Sequence, residues 1–201
     1  MKKIFFTLLP VMFCVSAFSQ TVETIRKDYA DALAHAKQIN DPEYPVNNKF
    51  KVVTEQMMPG SGPHQVTANF YYYEDENEES PSDITKSIYY VTHSYNWAAR
   101  EYYEEYLYTR KGKIEFIYQR GYDDDFQLYE YRFYFDAKGV IKVIVKRKKD
   151  DDSALTQEYS GATVTDKYKK AYDAAVKKSE NFKGLFNTLN SFSYWHNLKF
   201  T

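Results

Sequence analysis

The chain has 201 residues, with 27 lysines and arginines against 28 aspartates and glutamates, a formal net charge of −1. That balance gives no electrostatic reason to expect nucleic acid or an anionic membrane surface as a partner. The single cysteine excludes a disulfide, and at position 14 it falls in a segment that reads as a leader, so the mature chain has no thiol nucleophile and no cysteine metal site.

Met1-Lys2-Lys3, the apolar run from Ile4 to Val15 and the small residues Ser16, Ala17 and Ser19 have the three-part form of a secretory signal peptide. The run is too short to span a bilayer. Small residues at Ala17 and Ser19 place cleavage after Ser19, making 1–19 the leader and 20–201 a single secreted domain. A lipid anchor on Cys14 would need a small residue before it, and Phe13 stands there. The lysine start suits a bacterial leader, so the expected address is the periplasm or the exterior. No other long apolar run exists, and the mature chain is expected to be soluble, without a membrane span.

Val22, Ile25, Tyr29, Ala32, Leu33 and Ala36 recur at helical spacing, with Thr21 as cap and Asp41-Pro42 as terminator. Phe50 to Met58 and Val66 to Tyr73 read as strands joined by the turn Pro59-Gly60-Ser61-Gly62-Pro63. That glycine-rich turn lacks the lysine and following helix of a phosphate loop. Glu74 to Asp83, with six acids and Pro81, reads as a solvated loop. A meander of strands follows at 84–97, 100–110, 113–122, 126–136 and 139–148. The short connections between these strands require antiparallel neighbours. Asp150 to Asp152 end the last strand, and Leu155 to Tyr159 offers a short edge strand. Thr165 caps a second helix with a break expected near Ser179. The alternating tail from Phe192 to Phe200 reads as a strand or an ordered apolar tail. The sequence holds 21 tyrosines, a residue suited both to half-buried sheet faces and to binding surfaces.

Side chains alternate across a strand, so each turn decides which residues share a face. A tight turn joining Trp97 to Arg100 sets His93 opposite Glu104 and Tyr95 opposite Tyr102. A glycine-bulge turn from Thr109 to Lys113 sets Glu104 opposite Tyr118. A three-residue loop at Asp123 to Asp125 then places Tyr118 beside Glu130 and Phe116 beside Arg132. The last turn pairs Glu130 with Lys146 and Arg132 with Ile144. One face collects Ile88, Tyr90, Leu107, Ile117, Tyr131, Phe133, Phe135, Ile141, Val143 and Val145, and the helices are expected to cover it. Glu101 and Glu105, its exceptions, are expected at an edge or end. The other face collects His93, Tyr95, Trp97 and Arg100 on one side of the first turn and Tyr102, Glu104 and Tyr106 on the other. Tyr118, Arg120, Glu130 and Arg132 continue it. Tyrosine, tryptophan and arginine dominate binding patches, so this second face is the candidate binding surface. The competing reading is a solvated face laced with cross-strand pairs.

His93 with Glu104 is the best catalytic pair on offer, since a carboxylate can orient an imidazole and raise its basicity. Ser94 points to the opposite face and cannot complete a triad. Glu104 and Glu130 invite comparison with the acid and base of glycoside hydrolysis, with Tyr118 lying between them. The histidines at 35, 64 and 196 are scattered, and no zinc, nucleotide or serine-hydrolase motif exists. No cofactor or metal is expected, and no catalytic residue is assigned.

The order of leader, helix and long antiparallel meander resembles, in architecture alone, the periplasmic lipoprotein carriers, which fold as an unclosed barrel around lipid chains. The polar second face and the C-terminal helix depart from that pattern. The sequence therefore predicts an α+β chain with one antiparallel meander of about seven twisted strands, both helices packed on one face. Its first functional expectation is a secreted, non-catalytic binding protein that uses the tyrosine-rich face for a glycan, peptide or protein. A periplasmic carrier of a hydrophobic ligand comes second, and a hydrolase using His93 and Glu104 third.

Overall fold

The computed structural model describes residues 20–77, 80–148 and 153–194, without the side chains of 76, 77, 80–83, 193 and 194. The segment expected as a leader (1–19) and the strand end expected at Asp150 to Asp152 lie outside the described residues, as does the expected tail from 195 on, including His196, while 192–194 continue the last helix rather than a strand. The chain begins with α1 (Val22–Ile39), whose Thr21 hydroxyl accepts a hydrogen bond from the Thr24 N–H at 3.2 Å. Eight strands follow among the described residues: β1 (Lys49–Met58), β2 (Gly62–Asn77), β3 (Ser80–Trp97), β4 (Arg100–Tyr108), β5 (Ile114–Tyr122), β6 (Leu128–Asp136), β7 (Gly139–Arg147) and β8 (Thr156–Gly161). They form one antiparallel meander in sequence order. The helix α2 (Asp166–Tyr194) closes the described chain.

Eight strands rather than about seven arise because the segment after Ser153 pairs with β7 as a true edge strand. The acidic stretch at 74–83, expected as a loop, is largely strand. Glu74 pairs with Lys86 and Asp75 with Thr85 in the ladder. Lys86, 3.7 Å from Glu74, and Arg110, bonded to Asp75, offset the acids there.

The largest correction concerns the helices, which pack on opposite faces. Ile25, Ala32, Ala36 and Ile39 of α1 join Tyr71, Tyr90, Leu107, Phe116, Tyr134 and Ile144. Tyr168, Ala175, Phe182 and Phe186 of α2 join Phe70, Tyr72, Val91, Ile117, Phe133, Val143 and Val145. Three bulges contribute to this division; one leaves Ile141 extra between the Tyr134–Lys142 and Phe135–Val140 pairs, so that Ile141 packs on the α1 side and not, as expected, with Val143. Tyr71 pairs with Tyr90 but Tyr72 with Ile88, so Tyr89 is an extra residue that puts Ile88 and Tyr90 on different faces. Tyr108 pairs with Ile114 but Leu107 with Phe116, so Glu115 is extra in β5. That one-residue slip moves Leu107 away from Ile117 and gives each face its own apolar patch.

Ring contacts show α2 crossing the sheet. Tyr168 lies 5.4 Å from Tyr159 of β8, Phe182 5.0 Å from Tyr106 of β4, and Phe186 5.8 Å from Phe50 of β1. The break expected at Ser179 is absent, because this serine is the close approach of helix to sheet. It is fully buried, its hydroxyl donates to the Val176 carbonyl at 2.7 Å, and Tyr108 donates to its own carbonyl at 2.8 Å. A larger side chain there would hold the helix away from β4.

Candidate functional site

The predicted binding residues divide between the two faces. His93, Tyr95, Trp97, Arg100, Tyr102, Glu104 and Tyr106 share the α2 side, while the Glu115 bulge sends Tyr118, Arg120, Glu130 and Arg132 to the α1 side. Glu104 pairs with Gln119 rather than Tyr118, and Tyr118 with Arg132 rather than Glu130. Glu104 and Glu130 therefore lie on opposite faces, which removes the acid and base pair. The first turn and the last turn pair as expected: His93 with Glu104, Tyr95 with Tyr102, Glu130 with Lys146 and Arg132 with Ile144.

His93 and Glu104 do meet, with Nδ1 3.0 Å from Oε2, but beneath α2. Glu104 is 4% exposed and also accepts hydrogen bonds from Tyr106 at 2.9 Å, Gln119 at 3.2 Å and the Lys178 ammonium at 2.7 Å. Phe182 packs on His93 at 5.1 Å. Burial by itself would raise the Glu104 pKa, but the hydrogen bonds and charges of His93 and Lys178 outweigh it and hold the carboxyl below its usual range. Tyr106 is shifted up by burial and by this carboxylate. A carboxylate saturated by four donors is a packing anchor, with no lone pair left for a substrate.

Glu105, expected at an edge, is the equivalent anchor on the other face. Its carboxylate accepts from Tyr90 at 2.8 Å, from Tyr103 at 2.8 Å and from Tyr29 of α1. Burial and the Glu105 charge raise all three phenol pKa values, so the hydroxyls stay protonated donors. Nearby, Tyr118 donates to Glu130 at 3.1 Å, which with burial pushes its phenol to about 12. Arg132 donates to Glu130 at 3.3 Å and stacks 5.6 Å from the Tyr118 ring.

Beyond Tyr103, α1 leaves the same face uncovered, and there an open cleft of about 970 Å³ lies along the hairpin ends of β1 to β4. Two ladder rows set its floor: Glu55, Gln65, Asn96 and Glu101, then Thr67, Ser94 and Tyr103. The rim is fixed by Asn96. Its side chain accepts from the Gln65 N–H at 2.8 Å and donates to the Pro63 carbonyl at 3.0 Å, while its own carbonyl accepts from His64. Gln65 in turn donates to Glu55 at 2.9 Å. Among the described residues, two carboxylates border the cleft and no lysine or arginine lines it. Tyr103 is 38% exposed at its wall. Neither His93 nor Glu104 reaches it.

Of the expected binding residues, only Tyr95 and Tyr102 border this cleft, although strand alternation turns their rings to the α2 side. They stack with ring centres 4.8 Å apart. The signal for the other lining residues was the alternation of Gln65, Thr67 and Asn69 with Val66, Ala68 and Phe70. Comparison with protein-family models, with curated proteins and with solved structures finds no match.

Proposed function

We propose that the chain is a secreted, non-catalytic binding protein whose ligand occupies the open cleft beside Tyr103, with a glycan as the leading ligand class ahead of a peptide or protein. The observation that carries this reading is a concave, pre-ordered surface with polar groups left over. Thr67, Ser94 and Glu101 make no side-chain hydrogen bond to other described residues, while their neighbours Gln65 and Asn96 are held in place. Hydroxyls, amides and carboxylates beside a tyrosine ring match a sugar, which offers hydroxyl edges and apolar ring faces.

The other two readings draw less support. A carrier of a hydrophobic ligand calls for an enclosed apolar cavity, and the space between sheet and α2 is filled by Tyr168, Phe182 and Phe186. A hydrolase calls for His93 and Glu104 to face a cleft, and both lie under Phe182 and Lys178. A glycan array probed with the mature protein tests the proposal. Binding that falls by about tenfold in Ser94→Ala or Glu101→Gln, each costing one hydrogen bond to ligand, is the expected result. Binding to no glycan removes the carbohydrate reading, and binding untouched by both variants removes the cleft. Cell fractionation tests the address.

A further inference from the structure

Among the described residues the sheet is open, with β1 and β8 as its two edges. An edge strand presents unpaired N–H and C=O groups, and proteins guard such edges with short strands, bulges, prolines or covering side chains. The strand β8 is guarded. It has six residues, a bulge where Glu158 is extra between Tyr159 and Gln157, and Tyr168 of α2 packed 5.4 Å from Tyr159. The strand β1 has ten residues, no proline and an unbroken register with β2 from Lys49 to Met58. Every side chain from Val53 to Met57 is exposed, on both faces, with Val53 at 45% and Met57 at 74%.

We propose that β1 pairs antiparallel with β1 of a second copy, in a two-fold register centred on Val53. The sequence of the strand is self-complementary in that register. Lys51 meets Glu55 of the partner subunit, and the symmetry repeats the pair, while Val53 meets its own copy on the axis. All three belong to the same face, because alternate residues of a strand point the same way. A register shifted by one residue sets Glu55 against Val52 and Lys51 against Gln56, which loses both charge pairs. Centring on Lys51 or on Glu55 brings like charges together. Isologous pairing of this kind satisfies the exposed edges of both copies and closes the assembly at two.

The pairing stands independently of what the cleft binds, but it has a consequence for the proposed function. Glu55 and Met57 border the cleft, so pairing sets two clefts on the same side of one continuous sheet, across the axis from each other. Two adjacent sites on one platform suit a repeating ligand through effective concentration.

Sedimentation velocity of the mature protein over a dilution series tests the pairing. The expected result is a dimer that dissociates on dilution. Lys51→Glu and Glu55→Lys each place like charges in both pairs and should weaken dimerisation by about tenfold or more. An equimolar mixture of the two single variants should form a heterodimer as tight as the parent dimer, because every pair is then Glu against Lys, and the double variant K51E/E55K should self-associate like the parent. Both positions are exposed, so circular dichroism should be unchanged. A chain that stays monomeric at about 100 µM, far above a Kd that such an interface would serve, overturns the proposal. So does a dimer indifferent to the single variants, or one that the mixture does not restore. Loss of glycan binding with the dimer intact would instead bear on the cleft alone.

Discussion

At the scale of single residues, neighbouring glutamates on β4 do the same work for opposite faces with different chemistry. Glu104 is held by a cation and three further donors, Glu105 by three phenols. Glu104→Gln keeps the shape but leaves Lys178 and His93 facing a neutral amide. Lys178 is partly exposed and can turn to water, so the cost should be about 2 kcal/mol rather than the ~3–5 of a fully buried pair. Glu104 has a folded pKa below its unfolded value. Its contribution is present above the ordinary carboxylate range and lost as pH falls through the folded value. Urea unfolding should therefore separate parent and variant fully at pH ~7 and progressively less below pH ~4. Glu115 has the opposite sign. Burial, reinforced by Asp28, raises its pKa from 4.5 to about 7. Its charged form disfavours the folded state, a penalty that is absent below pH 4.5 and complete above about 7. Glu115→Gln should stabilise the protein at pH ~8 by about 1–2 kcal/mol, allowing for solvent screening, and leave it unchanged at pH ~4. An equal gain at both pH values would show that repacking, not charge, is responsible.

At the scale of elements, α2 is fastened at both ends of its crossing and in the middle, and Phe182 is the middle fastening. Its ring touches Phe70, His93 and Tyr106 across β2, β3 and β4. Phe182→Ala should cost about 3–5 kcal/mol, the range for deleting a buried phenylalanine. It should also speed amide exchange along α2 more than along α1, measured by hydrogen exchange with mass spectrometry. Equal acceleration in both helices would mean that α2 has no local opening of its own. The turns that brought β3 and β4 together were legible because Trp97 and Arg100 bracket only two residues, and a loop that short permits few registers. The helix α1 was legible from its apolar period and its threonine cap. The bulges were not legible. Tyr89 and Glu115 are ordinary strand residues, with no glycine or proline to mark a slip, yet each slip exchanges faces for everything beyond it. The β5 to β6 loop is longer than the three acids suggested, with Asp123 accepting from both Asp125 and Gln127. That error spans two residues, so it changed partners without changing faces. Tyrosine added to the difficulty: Tyr106 and Tyr90 are buried and Tyr103 is not, and nothing in the side chain itself separates those roles.

At the scale of the whole molecule, the two anchors sit on consecutive residues of one strand, so neither helix has a sheet of its own. Glu105 ties β4 to α1 through Tyr29, and Glu104 ties β4 to α2 through Lys178. Loosening one helix exposes an apolar patch on a sheet whose other patch is covered by the second helix, and the strands between them are shared. Coupling through shared strands predicts a single cooperative transition. Tyr29→Phe removes one hydrogen bond to a buried carboxylate and should cost about 1–2 kcal/mol. In that variant, far-ultraviolet circular dichroism, which reports the helices and strands, and near-ultraviolet dichroism, which reports the packed tyrosines, should shift to the same lower urea midpoint. If helical signal were lost first while the tyrosine signal held at the parent midpoint, α1 would be a separable cover over a sheet stabilised by α2 alone. Tyr103, the wall of the face that α1 leaves open, is held by its hydrogen bond to Glu105, the carboxylate that Tyr29 also engages. If the cleft binds the ligand proposed for it, the same Tyr29→Phe variant should weaken that binding by loosening the Tyr103 wall, although residue 29 does not line the cleft.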